Sequence, residues 1–142
     1  MRETPSDHEA FFELHPDPAL LIDPETGRLI RFNRSAHEQL GYTAEEFAGL
    51  NVEDFEAAMT AAEIAQRVRA GCQQGRVDFE TKHRCKDGTV LDVHVSLVLL
   101  DTQSPRQLLA VFRDISDRKQ TVRELEASER RFADVAAAAG EY

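Results

Sequence analysis

The side chains able to do chemistry in this sequence are few and scattered: two cysteines, Cys72 and Cys85, five histidines, and carboxylates spread along the whole chain. His83 and Cys85 stand two residues apart, a spacing that puts both on one face of a strand, where an imidazole and a thiolate can act as soft metal ligands. Cys72 is a third candidate of that kind, and the three together would serve a haem or metal redox sensor. The plainer reading is that they are ordinary surface or packing residues, since no CxxC or Cys/His ligand spacing flanks them. His37 lies three residues before Leu40 in a helical stretch, so it can face a pocket and titrate near neutral pH; a solvent-facing or hydrogen-bonded structural histidine is the simpler alternative. Paired carboxylates, a Ser/His/Asp arrangement and a Gly-rich phosphate loop do not occur at usable spacing, so no catalytic residue is assigned.

Composition narrows the partners. With 142 residues and 42% hydrophobic content, the chain holds one ordinary globular domain and an appendage. A net charge of -9 with 30% charged residues provides no clustered lysines and arginines for a phosphate backbone, which argues against nucleic acid. No window approaches the roughly 18 consecutive apolar residues of a membrane span, and Met1-Arg2-Glu3-Thr4-Pro5 lacks the apolar core of a signal peptide. Two cysteines outside any disulfide pattern fit a reducing compartment, so the expected location is the cytoplasm, with the parent protein free to be membrane-attached.

The elements that must position any site follow from periodicity. A helix over Ser6 to Leu14 stops at His15-Pro16-Asp17-Pro18. Ala19-Leu20-Leu21-Ile22 and Leu29-Ile30-Arg31-Phe32, joined by Asp23-Pro24-Glu25-Thr26-Gly27, read as a β-hairpin. Asn33 or Ser35 caps a helix over Ala36 to Leu40 that Gly41 ends, and Thr43-Ala44-Glu45-Glu46 is a capping box. Ala61, Ile64, Ala65 and Val68 recur at helical spacing from Thr60 to Cys72, with Gly71 and Gly75 bracketing the exit. After Gly75 the period becomes two: Val77, Phe79 and Thr81, then the Lys86-Asp87-Gly88 turn, then Leu91, Val93, Val95, Leu97 and Leu99. Gln103-Ser104-Pro105 breaks that strand, and Leu108 to Ile115 forms another. From Asp117 to Ala139 there is no Pro or Gly, which predicts a long helix. In it Ile115, Val122, Glu129 and Ala136 share one heptad position and Arg118, Leu125, Phe132 and Ala139 another, a half-apolar seam for two helices.

This order, two strands, several helices and three strands, resembles a PAS domain, and local strings carry the resemblance. Pro16-Asp17-Pro18-Ala19 with Leu20-Leu21-Ile22-Asp23 is similar to the family's opening. Phe32-Asn33-Arg34-Ser35-Ala36 and Gly41-Tyr42-Thr43-Ala44-Glu45-Glu46 resemble its helical centre, Lys86-Asp87-Gly88-Thr89 the turn between its third and fourth strands, and Asp114-Ile115-Ser116-Asp117-Arg118-Lys119 its exit into a helix. The resemblance implies an α+β fold: a five-stranded antiparallel sheet with helices on one face, an N-terminal helix and a coiled-coil-like linker. The implied domains are a flanking helix over 1–15, a core over 16–116 and a signalling linker over 117–135. Residues 136–142 would be the truncated start of a second PAS domain, because Ser128-Glu129-Arg130-Arg131-Phe132-Ala133-Asp134-Val135 resembles the sequence opening the next domain in tandem arrays.

As a function, the resemblance implies a non-catalytic sensory module of a multidomain bacterial signalling protein, such as a sensor histidine kinase or diguanylate cyclase. Such a module would regulate an output domain through its C-terminal helix, with homodimerisation through the N-terminal helix and linker and downstream PAS and effector domains of the same chain as partners. The alternative is a ligand-free dimerisation relay. Gly49-Leu50-Asn51 is followed by Val52 where a flavin-binding LOV domain has its reactive Cys, Val93 stands for an expected Asn, and Phe112 for a Gln. The long helix lacks the axial His of haem sensors, and Phe79 replaces a distal Arg. No cofactor is therefore predicted, and a small-molecule ligand would lie among Phe32, His37, Leu40, Val52, Ile64, Val68, Phe79, Val93, Val95 and Phe112, residues that otherwise simply pack a core. The signal-relay candidates are Asp114, Ile115 and Ser116, with Asp114 expected near the basic turn at Arg84 and Lys86; the alternative role for Asp114 is to cap the following helix.

Overall fold

The computed structural model describes residues 7–101 and 105–138. Helix α1 (Asp7–Leu14) precedes the hairpin β1 (Ala19–Ile22) and β2 (Leu29–Phe32); α2 (Arg34–Leu40), α3 (Ala44–Ala48), α4 (Val52–Phe55) and α5 (Ala61–Gln74) follow. The chain then forms β3 (Arg76–Arg84), β4 (Val90–Leu100) and β5 (Gln107–Asp114), and leaves through α6 (Ser116–Ala138). The predicted break at Gln103-Ser104-Pro105 lies largely outside the described residues, as do Met1 to Ser6 of the flanking segment and residues 139–142 at the other end. Helix α6 runs unbroken across the expected boundary between 135 and 136.

The sheet order is β2-β1-β5-β4-β3, with every neighbouring pair antiparallel. Two consequences matter for function. Helices α2 to α5 must carry the chain from one edge, β2, to the other, β3, and in doing so they cover one face. The first and last strands are central neighbours, Ala19 opposite Val111, so α1 and α6 both join the sheet at the same end.

Local chemistry fixes the covering helices. Asn33 is fully buried; its Oδ1 accepts from the N–H groups of Ala36 and Ala19, each at 3.0 Å, while Nδ2 donates to the Asp17 carbonyl at 3.0 Å. One side chain thus caps α2 and ties it to the start of β1. Thr43 and Glu46 form the capping box of α3, and Thr60 and Glu63 that of α5. Gly75, at φ +82°, ends α5 in the left-handed region where a side chain would be strained. Gly71 does not mark the exit, contrary to its expected role. It lies inside α5, where its Cα faces the sheet and an added Cβ would stand 3.5 Å from both Leu97 and Leu108.

The core gathers Leu20 and Ile22 of β1, Leu40, Phe47 and Phe55 of the short helices, and Val93, Val95, Leu97, Leu108, Ala110 and Phe112 of β4 and β5. These are the alternate positions expected of strands with one covered face.

Candidate functional site

A cavity of about 130 Å³ lies between the inner face of the sheet and helices α4 and α5. Six of the ten expected pocket residues line it: Val52, Ile64, Val68, Phe79, Val95 and Phe112. The other four do not. Leu40 and Val93 are fully buried in the core beside the cavity rather than against it. Phe32 packs edge-on against Phe47 with ring centroids 4.8 Å apart. His37 turns away, its Nδ1 2.9 Å from the Tyr42 carbonyl, and its ring meets Phe32 edge-on, which is the structural role rather than the pocket role.

The polar part of the lining divides in two. Thr26, Asn51, Glu53 and Arg67 are exposed and form the rim; the Arg67 guanidinium stacks over the Phe79 ring at 4.9 Å. Glu56, Thr81 and His83 are buried. The Glu56 carboxylate accepts from the Thr81 hydroxyl at 2.8 and 2.9 Å and from the N–H groups of Ala58 and Met59 at 2.7 and 2.9 Å. It is therefore satisfied, and it fastens the α4–α5 connection to β3. A backbone bond from Ala57 N–H to the Lys82 carbonyl at 2.8 Å holds the same junction.

His83 is different. Its ring packs edge-on between Phe55 and Phe112, at 5.1 and 4.8 Å, and Nδ1 is buried without a protein hydrogen-bond partner. Burial pushes its pKa down from 6.5 to about 4, so the ring is neutral at physiological pH. Cys85 does not share this environment. It lies beyond β3, with Sγ 3.7 Å from the Gln39 carbonyl, and burial, with lesser contributions from Asp87 and Asp114, raises its thiol pKa. Cys85 follows Arg84, the last residue of β3, and among the described residues no group of three or more His, Cys, Asp or Glu side chains is placed to hold a metal ion. Cys72 sits half-buried on α5 against the core.

The exit of the core is also rearranged. Asp114 Oδ1 accepts from the Ser116 N–H at 2.9 Å, the capping role for the start of α6. Lys86 does not meet it: the β3–β4 turn packs on the end of α2, where Lys86 N–H donates to the Leu40 carbonyl at 2.8 Å and its ammonium pairs with Glu46 of α3. Arg84, exposed at the end of β3, makes no ion pair among the described residues. What ties α6 to the sheet is Asp92 on β4. Its backbone N–H donates to Ser116 Oγ at 3.1 Å, and its carbonyl accepts from the buried Ile115 N–H at 2.8 Å. Lys119 reaches back to the carboxylates of Glu80 at 3.2 Å and Asp92 at 3.4 Å, and Lys82 pairs with Asp92 at 2.7 Å. Lys82 chiefly, with Lys119, depresses the Asp92 pKa, while Glu80 chiefly, with Asp92, raises that of Lys119.

The fold is a five-stranded antiparallel sheet with short helices over one face, a cavity beneath them and a helix continuing the last strand. The PAS domain family matches residues 16–117, and the chain belongs to that family. Among curated relatives, the methyl sulfide methyltransferase-associated sensor of Methanosarcina acetivorans is 24% identical over 120 residues, 84% of this chain and 12% of that protein. Sensor histidine kinase TmoS of Ectopseudomonas mendocina is 24% identical over 140 residues, 94% of this chain and 14% of that protein. The chain thus spans a small part of the length of both relatives. Among solved structures, the PAS domain of an HTR-like protein from Haloarcula marismortui matches with a TM-score of 0.68 and 26% identity, covering 75% of this chain and 87% of that one. No helix among the described residues is long and apolar enough to cross a membrane.

Proposed function

We propose that this domain senses a small molecule in its cavity and passes the bound state into α6, and through it to the output domain of a sensor-kinase-type protein. The observation that carries the reading is that β5 serves both ends: Ala110 and Phe112 line the cavity, and three residues after Phe112 the buried Ile115 seats the start of α6. A shift of Phe112 on ligand binding moves the anchor of the helix with it. Phe11 and Leu14 of α1 and Val122, Leu125 and Phe132 of α6 are exposed apolar residues. A second copy of the chain covers them in the proposed homodimer, with Val122 on one heptad position and Leu125 and Phe132 on the other.

The same stripe suits a ligand-free dimerisation relay, so the decisive measurement addresses the link from strand to helix. Hydrogen exchange of residues 115–125 is compared in wild type and Ile115→Ala, where truncating a buried isoleucine costs about 3 kcal/mol. The expected result is faster exchange in the first turns of α6 with β5 still protected. Equal exchange in both proteins refutes the anchor. A dimer that Val122→Glu with Leu125→Glu leaves intact refutes the helix seam.

A further inference from the structure

The cavity has a size, a lining and, among its buried polar groups, one that is uncommitted, and these together specify a class of occupant. Its volume of about 130 Å³ is close to that of an engineered apolar cavity of about 150 Å³ that takes up benzene. Phe55, Phe79 and Phe112 supply ring faces and edges, and aliphatic side chains from β1, β4, β5, α4 and α5 supply most of the remaining wall. Glu56 and Thr81 are spent on each other and on two backbone N–H groups. His83 is 4% exposed, lines the cavity, and its Nδ1 is buried with no hydrogen-bond partner among the described residues. A buried polar group without a partner is uncommon in folded proteins and points to something that completes it.

We infer that the cavity takes an uncharged ligand the size of a single six-membered ring, whose one hydrogen-bonding group is met by the imidazole of His83. The inference rests on the ligand-sensing function proposed above. An anion would enter an apolar site beside the Glu56 carboxylate, and a cation would find that carboxylate already occupied by three donors. The unprotonated ring has one nitrogen that donates and one that accepts. It can therefore serve a hydroxyl such as that of a phenol, and it cannot serve an apolar ring. The aromatic neighbours on both sides, Phe55 and Phe112, hold the imidazole plane in place, so the polar contact is directional. Because Phe112 lies on β5, a ligand that engages His83 also loads the strand that leads to α6.

The test uses the 142-residue chain and a fixed set of probes: benzene, phenol, anisole as a size control, benzoate and benzylamine. Affinities come from ligand-observed NMR and calorimetry. Phenol is expected to bind about tenfold more tightly than benzene, the ratio one net hydrogen bond supplies, with benzoate and benzylamine weaker than anisole. The imidazole ¹⁵N resonances of His83 should move with phenol and stay with benzene. His83→Phe should erase the preference for phenol, and His83→Gln should restore part of it. Equal binding of benzene and phenol, or unmoved His83 resonances, overturns the role of His83 while leaving the sensing function standing. Tightest binding by benzoate places the polar contact at the Arg67 rim and overturns the inference as well. Binding of none of the five probes overturns the ligand-sensing function itself at this site. Should His83→Phe fail to fold, the wild-type ratio and the ¹⁵N shifts still decide.

Discussion

Replacing His83 by leucine should make the domain more acid-resistant, and the size of the effect follows from its burial. The folded state keeps the ring neutral with a pKa near 4, whereas the unfolded chain titrates at the ordinary 6.5. Between those values the unfolded state binds more protons than the folded state, so stability rises with pH and is lost as pH falls from 6.5 toward 4. The interval of about 2.5 pH units, at about 1.4 kcal/mol per unit, amounts to about 3 kcal/mol, of which about 2 kcal/mol is gone by pH 5. The ionisable group facing the ring from the covering layer is Glu56, and its carboxylate is held by Thr81 and two backbone donors rather than by the imidazole. The carboxylates whose pKa values are depressed by ion pairs, Glu38, Glu46, Asp78 and Asp92, give a slope of the same sign. Theirs develops lower, as pH falls through their unfolded values of about 4 and below. Urea unfolding followed by circular dichroism at pH 7.5, 6.5, 5.75 and 5.0 therefore isolates the histidine. Wild type should lose about 2 kcal/mol over that range, and His83→Leu should lose about that much less. Parallel curves for the two proteins would refute the reasoning, because they would mean that the ring is charged, or solvated, in the folded state.

Glu56→Ala strips three donors of their acceptor in a buried site and should destabilise the domain by about 3 kcal/mol, with Glu56→Gln intermediate; a loss below about 1 kcal/mol in a thermal or urea melt would show that the carboxylate is dispensable. Gly71→Ala should stabilise by about 0.5 to 1 kcal/mol, because an added methyl meets its neighbours at ordinary contact distance inside a helix. Gly75→Ala should destabilise by about 1 kcal/mol, because its backbone is left-handed; both are read from urea midpoints, and the opposite ranking would contradict the placement of these two glycines.

Most of the fold is legible in the sequence because its signals are local. The odd-position run of Leu91, Val93, Val95 and Leu97 marks the covered face of β4, and Thr43 with Glu46, or Thr60 with Glu63, marks a helix that begins at the next residue. The site is less legible because a cavity is what packing leaves over. Leu40, Val93 and Val95 all read as inward apolar positions, yet only Val95 meets the void. Glu56 reads as one more surface carboxylate; its burial depends on Thr81, which lies 25 residues later on another element. His83 carries a visible signal: the period-two run Val77, Phe79, Thr81 continues to it, so an inward imidazole follows from the same alternation that identifies the strand. Gly71 looks like an exit residue because glycine commonly ends helices, but it lies inside α5, where an added methyl would meet Leu97 and Leu108 at ordinary contact distance, a placement that only the tertiary structure reveals.

The attachment of α6 makes it the element most loosely joined to the sheet, which suits the output role proposed for it. Strands β3, β4 and β5 are joined along continuous ladders of eight or more paired positions, so opening them costs many hydrogen bonds at once. Helix α6 is held by far less: one buried isoleucine, two hydrogen bonds on the backbone of Asp92, and the ion pairs of one partly buried lysine. Ion pairs that water still reaches contribute little and are weakened by salt. A coupling free energy between sites is typically about 1–3 kcal/mol. That is enough to shift an equilibrium at a joint of this strength and too little to unzip the sheet. In the proposed relay the ligand therefore need not deform the domain. It need only favour one seating of Ile115 over another, and the length of α6 turns that small choice at Asp92 into a displacement at Phe132.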